Sequence, residues 1–369
     1  MIKLDNIHNI YLIGDTHFGI RNNSLEWSNI QKSFFIDFFL KKIEKDFEPE
    51  HDILIFEGDI FHYRESVNVR IQNEVRDLFE VLSKKFKRGV FAITGNHDIY
   101  YKDKREIHSL KPLSDLASNI HIFENPEVLS INGNHNFLML PWIEDKKYMT
   151  SLLSKYVKLC NYVICHTDII GFNFNKWVKV EKGLNSEDFS DYTRIYSGHL
   201  HNRQSNKNIL YTGTPYQMDR GDLGNTRGFY KIDVTSSDLK EQFIKNTYSP
   251  QFIKMDLYDI LEMSKLEISK TFNNNFIDVL IDISFANKIT IPTFLDLISD
   301  SKHRTLEFFT YSKNKTKNSN TIKIKDSFDL TEIFKIYLKE KEYDIDIKEK
   351  VINEFLLIKK QILEERSYV

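Results

Sequence analysis

Five short stretches of the chain carry side chains able to hold divalent cations or move protons: GDTH (14–17), GDIFH (58–62), GNHD (95–98), CHTD (165–168) and GHLH (198–201). Taken singly, each is ordinary turn chemistry, in which Asp, Asn and Gly recur for their backbone properties. Together they supply carboxylates (Asp15, Asp59), imidazoles (His17, His166, His199, His201) and one amide oxygen (Asn96). That mixture suits Mn²⁺, Fe²⁺ or Zn²⁺ better than a metal that seeks thiolates. Two such ions about 3.5–4 Å apart repel each other and need a shared anionic ligand; Asp59 is the natural bridge. In extended backbone, residues i and i+2 face one side. His199 and His201 are therefore expected to project together with Leu200 turned away, and Asp15 and His17 to repeat the device around Thr16.

The elements that must position these groups read as apolar runs. NIYLIGD, DILIFEGD and GVFAITGNHD each look like a short strand ending at a polar turn. Between them, SNIQKSFFIDFFLKKIEKDF and VNVRIQNEVRDLFEVLSKKF have apolar residues at helical spacing. HIFENPEVLSINGNHNFLMLPW reads as a hairpin, followed by strands in NYVICHTD, TRIYSGHLH, ILYTGTPY and RGFYKIDV. The alternation points to an α/β fold. In open α/β sheets, ligands gather outside the carboxyl ends of strands, where all five stretches lie. A smaller α/β unit is expected next, with strands near 252–257, 276–283 and 305–311. The polar, Lys- and Asn-rich KNKTKNSNTIKIKDS reads as a linker. The C-terminal segment is helical, with Leu330, Ile333, Phe334, Tyr337, Val351, Phe355, Ile358 and Ile362 as an apolar stripe that must dock on its own protein or on a partner.

A chain of 369 residues is long enough for two or three domains. Its 41% hydrophobic and 28% charged residues are those of a soluble globular protein. No apolar run approaches the ~20 residues that cross a bilayer, and MIKLDNIHNI lacks signal-peptide architecture. Cys160 and Cys165 make no disulfide framework and read as reduced core thiols, which points to the cytoplasm. The formal net charge of −2 gives no support for a free-standing nucleic-acid binder, although a local patch governs recognition more than the sum does.

In this order and with this chemistry, the five stretches resemble those of the calcineurin-like metallophosphoesterase superfamily over residues 10–235. Within it the chain is similar to the SbcD-type nuclease subunits of DNA double-strand-break repair complexes, including the recombination nucleases of large bacteriophages. GTPYQMDRGD followed by RGFYKIDV fits the narrower likeness. The resemblance implies an α/β, two-sheet metallophosphoesterase sandwich flanked by helices (1–240), a small α/β capping domain (241–312), a linker (313–327) and C-terminal helices (328–369) that dock on an ATPase partner. It implies that Asp15, His17, Asp59 and His201 hold one metal and Asp59, Asn96, His166 and His199 a second, both Mn²⁺ with Mg²⁺ as a substitute. His97 would sit beside the scissile phosphate as general acid, with Asp98 to orient or polarise it. His62 matches a histidine that follows the second motif in many members. The implied activities are 3′→5′ exonuclease and single-strand endonuclease on DNA. The implied assembly is a homodimer bound to an SMC-like ATPase of SbcC/Rad type, in the cytoplasm (of a host, if the chain is phage-encoded).

Arg203, Tyr216 and Arg220 lie near the motifs in sequence and are candidates for contact with the DNA backbone. The basic stretches 83–89 and 101–111 either face water or meet phosphates. Trp142 and Trp177 either pack or stack on bases. His8, His51, His108, His121, His135 and His303 have no partner motif and are expected to be structural or solvent-facing. Phosphoprotein phosphatases of the same superfamily carry Asp-Arg-Gly in the second motif and Glu after the third motif's histidine, and GDIFHYR and GNHD depart from both. A calcineurin-like phosphoesterase acting on small phosphoesters or on phosphoproteins is the enzymatic alternative. A non-catalytic scaffold is the other, and intact ligands at every motif argue against it.

Overall fold

A computed structural model describes residues 1–101, 104–174, 178–282, 294, 296–311 and 348–356. The chain divides into two compact units, Met1–Ser249 and Pro250–Val369.

Among the described residues, the first unit holds a six-stranded and a seven-stranded sheet. The first runs Lys240–Lys245, Gly228–Asp233, Asn9–Ile13, Asp52–Phe56, Val90–Ile93, Ile120–Phe123. Its last four strands are mutually parallel. The second runs Ile2–Leu4, Glu127–Ile131, His135–Leu140, Tyr162–His166, Arg194–Gly198, Ile209–Tyr211, Gln204–Asn206. Here the four strands from His135 to Tyr211 are parallel to one another. The sheets face each other across one core. Ile10, Leu12, Ile53, Ile55, Phe91 and Ile93 from one meet Phe137, Met139, Ile164, Tyr196 and Leu210 from the other. Alternate residues face outward and are buried too. Leu138, Leu140, Val163 and Cys165 pack under Met149, Leu152 and Leu153 of the helix Lys146–Tyr156. Strands covered on both faces have no room for polar alternation, which is why NIYLI and DILIF are nearly unbroken apolar runs. Each such side chain contributes about 1.5–3 kcal/mol by leaving water.

The outer face of the six-stranded sheet carries the two helices expected from sequence. Val69–Lys85 is capped by Asn68, whose side chain accepts from the Arg70 and Ile71 amides, and it buries Ile71, Val75, Leu78, Phe79 and Leu82. The other helical stretch is not uniformly α. Leu25–Ser33 passes into a π-helical turn at Phe34–Phe39, where the Leu40 amide bonds to the Phe35 carbonyl. The wider i→i+5 turn brings Phe34, Phe35, Phe38 and Phe39 all into buried positions. The stretch also buries Gln31, whose amide donates to the carbonyls of Thr16 and His17 in the 14–17 turn.

The strand Lys240–Lys245 pairs along its length with Gly228–Asp233. The first unit therefore ends at Ser249, not at the residue 240 read from the sequence. In the second unit, Phe252–Asp256, Phe276–Asp282 and Thr305–Tyr311 form a parallel sheet, with the helices Leu257–Leu261 and Lys265–Phe272 packed through Ile260, Ile268 and Phe272. The linker at 313–327 lies outside the described residues. So does the C-terminal segment 328–369, apart from the helical residues 348–356. Among the described residues, no helix is long and apolar enough to cross a membrane.

Candidate metal centre

Asp15, Asp59 and Asn96 follow the parallel strands Asn9–Ile13, Asp52–Phe56 and Val90–Ile93. His166 closes Tyr162–His166, and His199 follows Arg194–Gly198. Both sheets thus deliver ligand candidates at strand carboxyl ends. Two groups form. Asp15, His17 and His201 have ligand atoms within 4.8 Å of one another, as do Asp59, His166 and His199. Asn96 belongs with the second, its Oδ1 lying 3.0 Å from His166 Nε2 and 2.9 Å from His199 Nδ1. Asp59 Oδ2 adjoins both groups, 3.3 Å from His166 Nε2 and 3.7 Å from His17 Nε2.

The local backbone is unusual where it has to be. His17, Asp59 and His199 have φ of 48°, 49° and 86°, a left-handed region that non-glycine residues enter uncommonly, Asp and His more readily than most. At His199 this ends the strand alternation. His199 turns toward Asn96 and Asp168, and His201 turns toward His17. The expected joint projection of the two histidines is thus replaced by one for each ligand group, while Leu200 is fully buried as anticipated. Two glycines make room. A Cβ on Gly95 would lie 2.2 Å from Asp59 Oδ1, and one on Gly198 would lie 2.6 Å from Asp15 Oδ1. Gln31 steadies the first turn, donating from Nε2 to the carbonyls of Thr16 (2.7 Å) and His17 (2.9 Å).

Carbonyl and carboxylate oxygens accept only, so they fix the imidazole tautomers. His166 Nδ1 donates to the Glu57 carbonyl at 2.7 Å, leaving Nε2 toward Asp59. His97 Nδ1 donates to the His62 carbonyl at 2.6 Å. His199 Nε2 donates to Asp168 Oδ1 at 2.8 Å, which turns Nδ1 toward Asn96 Oδ1. His17 and His201 face each other through Nε2 at 3.1 Å.

Burial and mutual fields set the charges. Burial disfavours a charged His166, but the Asp59 and Asp15 carboxylates outweigh it and raise its pKa to about 10. Burial likewise opposes ionisation of Asp59, yet His166 and then His17 hold it well below the usual carboxylate range. Asp15 is raised to about 6, by burial working against His166. His17 is held well below its ordinary value, chiefly by burial. His201 is lowered to about 4 by burial and Arg227. Metal-free, the centre therefore keeps a cationic His166 against Asp59 and offers neutral nitrogens at His17 and His201. The donor set fits divalent cations. His17 Nε2 faces His201 Nε2 at 3.1 Å and His199 Nδ1 faces Asn96 Oδ1 at 2.9 Å, pairs of lone-pair-bearing atoms that a cation would reconcile.

The remaining candidates divide. His97 is half-buried, with its amide on Asp59 Oδ1 at 2.8 Å and its ring 4.9 Å from that of His17. His62 brings Nδ1 to 3.3 Å from His17 Nδ1, and burial together with His97 lowers its pKa to about 4. Asp98 is fully buried and accepts from the Gly95 and Phe61 amides. It braces the 95–98 turn, and the group that orients His97 is instead the His62 carbonyl. Tyr216 is also a correction. It is 1% exposed and donates to the Thr16 carbonyl, so it supports the first turn from inside the core rather than from the surface where a DNA contact was expected. Arg203 is exposed but lies over the Phe243 ring at 4.4 Å. Arg220 is exposed at the start of a short 3-10 turn. Trp142 packs with its ring 5.0 Å from that of His199, and Trp177 lies outside the described residues. In the basic stretch 83–89, Lys84 pairs with Glu80 and Lys87 with Glu50. The other histidines have structural partners: His8 stacks on His51, His108 meets Glu124, His121 stacks on Phe91, His135 bonds to the Ser236 carbonyl, and His303 pairs with Ser301.

Sequence reasoning missed Gln31, Glu57 and Asp168. Only Asp168 left a signal, as the last residue of CHTD.

Residues 8–234 match the family model described as calcineurin-like phosphoesterase. The chain is 26% identical over 238 residues to exonuclease subunit 1 of Enterobacteria phage T4, covering 63% of this chain and 66% of that one. It is 23% identical to the DNA double-strand break repair protein Mre11 of Methanocaldococcus jannaschii, covering 62% and 63%. It is 28% identical over 335 residues to Mre11 of Nanoarchaeum equitans, covering 83% and 85%. The chain thus spans less than two thirds of the length of the first two relatives. With the five strand-end stretches gathered at one centre inside the matched region, the chain belongs to the calcineurin-like phosphoesterase family.

Proposed function

We propose that the chain is a metal-dependent DNA nuclease subunit of the recombination and double-strand-break repair type, hydrolysing phosphodiesters at a centre of two cations. The observation that carries this reading is Asp59 Oδ2, one carboxylate oxygen in reach of both ligand groups. The repair and exonuclease names of the similar chains support DNA as the substrate. In this reading Asp15, His17, Asp59 and His201 hold one cation and Asp59, Asn96, His166 and His199 the other, as Mn²⁺ with Mg²⁺ as a substitute. Bound there, the cations supply Lewis-acid activation of water and neutralise charge on the phosphodiester.

The protein's own groups do the rest. His97 has its Nδ1 hydrogen committed to the His62 carbonyl, so Nε2 is the atom that carries a proton to the departing 3′-oxygen. His62 buttresses His17 through the facing Nδ1 atoms. Arg203 and Arg220, both exposed, are the backbone-contact candidates. Cleavage from 3′ ends and of single strands, a homodimer, and an SMC-like ATPase bound through residues 328–369 complete the proposal.

The test gives the full-length protein linear duplex DNA, a phosphopeptide or p-nitrophenyl phosphate, each with Mn²⁺, Mg²⁺ or EDTA. DNA degradation with Mn²⁺ that EDTA abolishes is expected. Turnover of the phosphopeptide with DNA left intact would overturn the reading. Deleting residues 320–369 should abolish co-purification with the ATPase and spare Mn²⁺-dependent cleavage of short DNA; retained co-purification refutes the docking role.

A further inference from the structure

His199 is held from behind by a carboxylate that the ligand sets leave out. Asp168 Oδ1 accepts from His199 Nε2 at 2.8 Å, and both side chains are largely buried, 17% and 14% exposed. Asp168 in turn is held by its surroundings. Its carbonyl accepts from the Leu184 amide at 3.0 Å. Gly183 lies so close that a Cβ there would meet the Asp168 carbonyl oxygen at 2.5 Å. The preceding carbonyl, of Thr167, accepts from the buried Tyr211 hydroxyl at 2.7 Å. Lys146 Nζ sits 3.9 Å from Asp168 Oδ2, bonded to Thr167 Oγ1 at 3.1 Å and placed over the Trp142 ring at 4.2 Å. Trp142 packs on the His199 ring. The imidazole is thus fixed in tautomer by Asp168 and in tilt by Trp142, and Lys146 touches both.

We propose that Asp168, braced by Lys146 and admitted by Gly183, is a positioning residue that presents His199 to the cation site through Nδ1. This rests on the metal-centre reading above. A ligating histidine generally donates its other ring hydrogen to a carboxylate or carbonyl, and loss of such a partner costs about 10–100-fold in metal affinity. His166 has the Glu57 carbonyl for this purpose, which no side-chain substitution removes. His199 has a side chain, so its support is open to mutation.

Two measurements test the proposal. In the wild-type protein without metal, ¹⁵N NMR of the histidine rings should show His199 protonated at Nε2 and bare at Nδ1; the opposite tautomer overturns the proposal without any variant. Isothermal titration of Mn²⁺ into full-length Asp168→Ala should show one of two sites weakened about 10–100-fold and the other unchanged. Asp168→Glu should recover part of the loss. Gly183→Ala, which keeps the carboxylate but displaces its backbone, should weaken the same site. Equal affinity at both sites in wild-type and folded Asp168→Ala overturns the inference and leaves the two-cation reading standing. A wild-type protein that takes up no divalent cation overturns both. Should Asp168→Ala fail to fold, the tautomer measurement and Gly183→Ala decide.

Discussion

The Oδ2 atom of Asp59 lies 3.3 Å from His166 Nε2, and the pair sits in an interior where neither residue is more than 2% exposed. An ion pair so deeply buried is stable only while both partners are present. In the two-cation reading proposed above, a cation entering the centre would take the place of the proton on His166.

Removing the shared carboxylate should disable both ligand groups. Asp59→Ala is expected to lose Mn²⁺ binding at both sites, by at least about 100-fold, taking the loss of a direct ligand to exceed that of an outer partner. Titration calorimetry reads it directly. One site left at wild-type affinity would show that Asp59 serves a single cation.

His97 is expected to act on the substrate and to leave the cations alone. His97→Ala should retain two Mn²⁺ sites and lose about 10²–10⁴-fold in DNA cleavage. Near-normal cleavage by this variant would remove the histidine from the proton-transfer role.

The pH dependence of metal uptake has a definite sign. His166 binds its proton up to about pH 10 and Asp15 up to about pH 6, and a cation must displace both. Mn²⁺ affinity should therefore fall as pH is lowered, by up to about tenfold per pH unit for each proton displaced. Below about pH 6 both protons oppose binding; above it only the His166 proton does. Calorimetry at pH 5.5, 6.5, 7.5 and 8.5 checks this, and a flat profile contradicts it.

Glu57 makes a prediction about stability without metal. Burial, with Asp15 adding to it, raises this carboxyl to about 8, against a hydrogen bond from Thr212 that lowers it. A raised acid favours the folded state below its unfolded value of 4.5. That contribution is lost at up to about 1.4 kcal/mol per pH unit as pH rises toward 8. Glu57→Gln, which keeps the shape, should gain on the wild type steadily between pH 5.5 and 8. Thermal unfolding in EDTA would show the two melting temperatures diverging; parallel curves would count against the raised value.

The strands, and the motif residues that the structure gathers at their ends, were legible because each is local: an apolar run and a turn written in consecutive letters. The hairpin in 127–140 and the three strands of the second unit fall where periodicity put them. What failed depended on long-range placement. His199 and His201 were expected on one face, but a φ of 86° at His199 breaks the alternation, and nothing in GHLH encodes that. Tyr216 reads as a substrate contact by its nearness in sequence to the motifs, yet it meets a carbonyl 200 residues away. The π turn at Phe34–Phe39 is invisible to a helical period, since four phenylalanines satisfy either winding. The unit boundary moved because Lys240–Lys245, exposed at its first three residues and polar in composition, still completes a sheet edge.

Each ligand group draws from both sheets: Asp15 and His17 from one with His201 from the other, and Asp59 and Asn96 from one with His166 and His199 from the other. An ion seated in either group would therefore act as a rivet through the sandwich. Loading the centre should tighten the seam between the two layers, and chelation should let that seam breathe, so the proposed cation site and the mechanical fastening of the fold would be one object.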